Sequence, residues 1–250
     1  MTALLSPSSP LAEKAERYWV ESRQPLASLI FIAPLLVIYE AGVLVLGRYA
    51  VRNGADTWLR QMLDQLGFGQ YFLLPALAIF ILLSWHHLTR HPWQVSSRVL
   101  YGMVGECVLL SLFLRLVLEL QSLLRETVAS GVRLEITGAL GTLSTMTAYL
   151  GAGIYEELLF RLLLLPLLAW LLRRLTLGPT ASLVGAMLLT SLLFAVAHNV
   201  GPYGETFVGF NFLFRLVAGM FFAVLFVYRG FGITVGAHAG YDILVGLARF

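Results

Sequence analysis

Apolar stretches of about twenty residues recur along nearly the whole 250-residue chain. That is the length a helix needs to cross a hydrocarbon core of about 30 Å. The blocks are long and Leu-rich, unlike the short alternating segments of a membrane barrel. Charged residues make up 12% of the chain, about half the share in a soluble domain, and mean hydropathy is +0.81. The expected fold class is all-α: a polytopic transmembrane helical bundle of about seven spans plus a short interfacial helix. The spans fall at about 26–46, 71–85, 99–120, 136–172, 180–197, 207–228 and 231–247. In the first polar connection Trp58, Leu59, Met62, Leu63 and Leu66 recur at helical spacing, which marks the interfacial helix.

The net charge of +3 comes almost wholly from scattered arginines, with Lys14 the single lysine. No basic run suggests a nucleic-acid surface, and the arginines read as loop charges that set topology, weakly favouring a cytoplasmic N-terminus. Cys107, the sole cysteine, lies in an apolar segment and reads as a small buried hydrophobe. Residues 2–5 are too short for the apolar part of a signal peptide. The first long apolar segment is therefore expected to remain as an anchor, in a multi-pass integral membrane protein.

Against this background the run TAYLGAGIYEELLFRLLLLPLLAWLL carries Glu156, Glu157 and Arg161. One ionised side chain at mid-bilayer costs roughly 2.5–3.5 kcal/mol, so three within six positions imply a compensating arrangement. Glu157 and Arg161, four apart, share a helical face in the order that favours an ion pair. Glu156 points about 100° away and is free to do a different job. Pro166 is expected to bend this long segment. Two later apolar segments supply His198 and His238, and Asp242 follows His238 by four residues. Glu157 lies 19 residues before Thr176 and His198 lies 19 after Pro179. An antiparallel hairpin would thus bring them to matching depth, about 29 Å from the turn. His238 lies only about 12 Å beyond Gly230, a mismatch that bending or overshooting helices would remove.

Two chemistries need such a set. A glutamate, aided by histidine, can take a proton from water that attacks a peptide carbonyl, while a second histidine donates to the resulting oxyanion. Alternatively Glu156, His198 and His238 could ligate zinc, although no HExxH is present. Elsewhere Arg115 and Glu119 are expected to pair locally, and Glu40 and Glu106 to meet arginines on other helices or to mark a wet cavity. His86, His87 and His91 beside Trp93 read as interfacial anchors rather than a metal site.

YEELLFR fits EExxxR, FAVAH (Phe194–His198) fits FxxxH, and HAGYD (His238–Asp242) fits HxxxN/D. This ordered trio resembles the CPBP family, also called Abi, of intramembrane proteases related to the CAAX prenyl endopeptidase. The resemblance implies a glutamate-dependent endopeptidase, formerly described as a metalloprotease, acting near the membrane surface. It makes Glu156 the water-activating base with His198 assisting, and His238 with Asp242 the oxyanion site. Glu157, Arg161 and Phe194 would support them. An ionised Asp242 cannot donate, so it would orient His238 or be protonated. The chain then divides into a polar segment (1–25), N-terminal transmembrane helices (26–135) and a CPBP-like catalytic core (136–250). No cofactor is expected, zinc being the alternative. The expected partners are membrane lipid and a peptide or protein substrate, possibly lipidated, with no nucleic acid, and the expected location is a bacterial cell membrane. A proton-coupled transporter and a non-catalytic bacteriocin-immunity-type protein are the competing functions.

Overall fold

A computed structural model describes residues 10–69, 71–123, 139–175, 178–201 and 204–247. Among them there is no strand. The start of the fourth predicted span at 136 and Thr176 in the predicted turn lie outside the described residues. Ten α-helices are described: α1 (Pro10–Glu21), α2 (Pro25–Leu46), α3 (Gly54–Gln65), α4 (Leu73–Thr89), α5 (Ser97–Leu123), α6 (Ala139–Gly151), α7 (Leu165–Arg174), α8 (Pro179–Ala197), α9 (Gly209–Arg229) and α10 (Phe231–Leu247). The helices fall close to the predicted spans, and α3 sits where the interfacial helix was expected. α1 was not expected: its residues were read only as a polar segment. It starts at a proline and carries Glu13 in its first turn, both favourable at a helix N-terminus.

Among the described residues three helices are long and apolar enough to cross a bilayer: Pro25–Tyr49, Pro179–Ala197 and Gly209–Arg229. The count of seven is not reached on this measure, for local reasons. α4 and α10 have 17 residues each, about 25 Å of helix. α5 is long but carries Arg98, Glu106, Arg115 and Glu119. The fourth predicted span is divided between α6, two widened segments and α7. Exposed apolar side chains such as Val37 and Val45 on α2, and Leu188 and Leu192 on α8, form surface suited to hydrocarbon.

The departure from α-helix that matters most lies between α6 and α7. Ala152–Glu156 and Leu158–Leu164 wind as π-helix around Glu157, a geometry that recurs at functional sites. Pro166 lies at the start of α7 rather than mid-helix. Its ring crowds the carbonyl four residues earlier, and the winding is already widened there.

α10 is the central element. It packs against α5, α2, α9 and the first widened segment. Gly153 permits the last of these contacts: a Cβ there would stand 2.7 Å from Ala239 Cβ and 2.8 Å from its backbone nitrogen. The turn that starts α10 is itself inside the protein. Gly230 adopts φ 79°, packs on Arg23, and is followed by a bond from Gly232 N to Ser28 Oγ at 2.9 Å. α7, by contrast, ends in exposed Arg173 and Arg174.

Candidate active site

Glu157 is fully buried. Its Oε1 accepts from His238 Nδ1 at 2.6 Å, and its Oε2 lies 3.2 Å from Arg161 Nε. Because a carboxylate only accepts, the Nδ1 proton of His238 is fixed and Nε2 faces the other way. Nε2 lies 3.7 Å from Glu156 Oε2 and 3.6 Å from Asp242 Oδ2. The two neighbouring glutamates thus address opposite nitrogens of one imidazole.

Arg161 is also fully buried, and its Nη2 donates to the Gly219 carbonyl at 3.0 Å. Its guanidinium lies 4.6 Å from the Phe194 ring centre, with Phe222 and Phe160 at 5.7 and 5.8 Å. Aromatic faces attract a desolvated cation, and they complete the surroundings that Glu157 and Gly219 leave open. Phe222 also stacks on His238 at 4.4 Å with an interplanar angle of 14°, which fixes the plane of the imidazole.

His198 closes the C-terminus of α8. Its Nδ1 donates to the Phe194 carbonyl at 2.8 Å, leaving Nε2 as an acceptor. Among the described residues no carboxylate pairs with it. It borders the site through the Phe194 ring, whose centre lies 4.9 Å from the His198 ring and 6.0 Å from the His238 ring. The expected face-to-face pairing of Glu157 with His198 is therefore not found: Glu157 meets His238 instead. Counting at 1.5 Å per residue assumes α-helix, and Glu157 sits within the widened winding, which turns it toward α10. Phe194, expected to support the site, is the ring that both histidines and Arg161 share.

Glu156 is completed from outside the three motifs. Asn53, at the start of α3, donates from Nδ2 to Glu156 Oε1 at 2.6 Å. Sequence reasoning missed this residue. Its only mark was an Asn-Gly pair ahead of an amphipathic helix, which signals a helix cap and not a partner 103 positions away. Beside it Tyr155 donates to Glu40 at 2.5 Å, Glu40 pairs with Arg60 at 2.9 Å, and Asp56 accepts from Arg60 at 2.6 Å, Tyr39 at 2.7 Å and Arg52 at 2.8 Å. Glu106 pairs with Arg229 at 2.6 Å, and Arg115 with Glu119 at 3.0 Å. Both glutamates read as possible arginine partners thus have one, as does the predicted local pair. His86 is buried against Trp93, ring centres 4.7 Å apart.

Among the described residues no group of three His, Cys, Asp or Glu side chains is placed to hold a metal ion. Glu156, His198 and His238 are not placed as such a group.

Residues 138–244 match the family model described as type II CAAX prenyl endopeptidase Rce1-like. Over that stretch, somewhat under half of its length, the chain is similar to the CAAX protease (CPBP) family. The matched model describes an endopeptidase family, and the apolar helices are of the kind that cross a membrane. All three motifs fall inside the matched residues. The family favours neither the transporter nor the immunity-protein alternative. No curated protein matches the chain, and neither does any solved structure.

Proposed function

We propose that the protein is an intramembrane endopeptidase in which Glu156 activates water against a peptide bond near the membrane surface. The observation that carries this reading is the contrast between the two glutamates. Glu157 has no exposed side-chain surface and engages His238 and Arg161, whereas a tenth of the Glu156 side chain is accessible. Its Oε2 lies 3.7 Å from His238 Nε2, a gap at which one water can hydrogen-bond to both.

In the reaction, the water oxygen attacks the carbonyl carbon and its proton passes to Glu156 Oε2. His238, protonated at Nε2, donates to the oxyanion. Glu157 holds the far side of that ring and Asp242 orients the near side. When the C–N bond breaks, Glu156 returns the proton to the leaving amine, so an acid and an amine are released. His198 assists through Nε2, its acceptor nitrogen. No metal takes part. The family points to prenylated CAAX peptides as first substrates to try.

Purified protein in nanodiscs should cleave such a peptide, Glu156→Gln should lower kcat at least about a hundredfold, and chelator should leave the rate unchanged. Full activity in Glu156→Gln would overturn the assignment of the base, and loss of activity on chelation would overturn the metal-free mechanism.

A further inference from the structure

The matched family stretch starts at residue 138, yet one oxygen of the proposed base is held by a side chain from residue 53. We propose that Asn53 is a positioning residue for Glu156, selecting Oε2 as the atom that receives the proton. This rests on the reading of Glu156 as the base.

Asn53 uses both ends of its carboxamide. Oδ1 accepts from Ala55 N at 2.7 Å, capping α3, and Nδ2 donates to Glu156 Oε1 at 2.6 Å. The amide is thereby oriented, because only one assignment places an acceptor on the cap and a donor on the carboxylate. The backbone under it is also held. Thr57 Oγ1 donates to the Asn53 carbonyl at 3.0 Å, and Val51 N donates to Ser144 Oγ at 3.1 Å. Ser144 in turn donates to the Tyr49 carbonyl at 2.8 Å, which ties this connection to α6. A committed Oε1 leaves Oε2 as the oxygen toward His238 Nε2. Without the amide, the carboxylate could rotate about its last bond and present either oxygen, or neither, to the water. The side chain that sets the geometry of the base thus comes from outside the residues that carry the family's motifs.

Asn53→Asp separates capping from positioning. Aspartate caps helices as well as asparagine does, so α3 keeps its N-terminus, but the donor to Glu156 is lost. For a prenylated CAAX peptide, the expected result is a fall in kcat of about tenfold to a hundredfold with KM little changed; because the new carboxylate also faces Glu156, the unfolding temperature is read in Asn53→Ser, where it should be unchanged. Asn53→Ser, which also caps but is too short to reach Glu156, should behave alike. Wild-type kcat in both variants would overturn the proposal, since a purely structural cap predicts that outcome.

A second measurement needs no substrate. With ¹³C-labelled glutamate, the infrared carboxylate stretch assigned to Glu156 by difference from Glu156→Gln should shift in Asn53→Asp. An unshifted band would overturn the proposal. A wild-type protein that leaves the peptide intact while the band shifts would count against the functional reading and leave the placement of Asn53 standing.

Discussion

Glu156 and Glu157 are adjacent carboxylates in one apolar run, and their partners make them different groups. Glu157 belongs to a closed set with Arg161 and His238, in which every charge is buried. Removing one member of such a pair leaves an uncompensated buried charge, at a cost of about 3–5 kcal/mol. Arg161→Ala should therefore lower stability by that amount, read as a fall in unfolding temperature in detergent. Arg161→Met combined with Glu157→Gln should recover part of it, since the lone buried carboxylate is gone; no recovery would show that Arg161 acts mainly through its aromatic neighbours. The pair was legible in the sequence because i,i+4 spacing on a helix is a local rule. Asn53 and Phe222 were not legible, because a residue 103 positions from Glu156 and a stacking phenylalanine among 16 phenylalanines carry no local mark.

At the scale of elements, hydropathy located most helices well, since burial in lipid imposes one strong compositional demand on each span. It gave no sign of the π-winding at 152–164, which depends on how α10 packs against that segment and not on composition. Gly153 is where the packing is tightest. Gly153→Val places a branched side chain against the Ala239 backbone, with contacts under 3.0 Å before any adjustment. Overpacking of this kind costs about 1–3 kcal/mol. The larger effect should be on catalysis, because His238 adjoins Ala239 and would move away from Glu157. The expected result is strongly reduced cleavage with folded protein still recoverable; unchanged activity would show that α10 can retreat without disturbing the histidine.

Across the whole molecule, a second buried charge fastens the N-terminal helix to the bundle. Arg229 donates to both oxygens of Glu106 at 2.6 and 2.7 Å, to Ser22 Oγ at 2.9 Å and to the Trp19 carbonyl at 3.2 Å. Its guanidinium also lies 3.7 Å from a Trp19 ring centre. Tyr18 donates to Glu106 at 2.6 Å, and burial together with that carboxylate pushes its hydroxyl pKa well above the ordinary range, so it remains a donor. A charged hydrogen-bond set contributes about 1.5–3 kcal/mol per bond to a buried partner. Arg229→Met should therefore release α1, seen as faster amide hydrogen exchange over residues 12–21 with little change in α8. Equal exchange in both proteins would mean that apolar contacts of Tyr18 and Trp19 suffice.

The wide winding around Glu157 also determines which kind of genetic change this protein tolerates least. A substitution there alters one side chain, but losing a single codon alters the phase of everything downstream. With one residue fewer, the segment could relax to ordinary i→i−4 bonding, and each following residue would rotate by about 100° around the axis. Were Leu159 lost, Arg161 would stand three residues from Glu157 instead of four, on the same side but at a different offset, and α7 would present a different side to α8. The same one-residue loss in the polar connection before α3 would leave the helices in phase, at the cost of the contacts that Val51, Arg52 and Asn53 make.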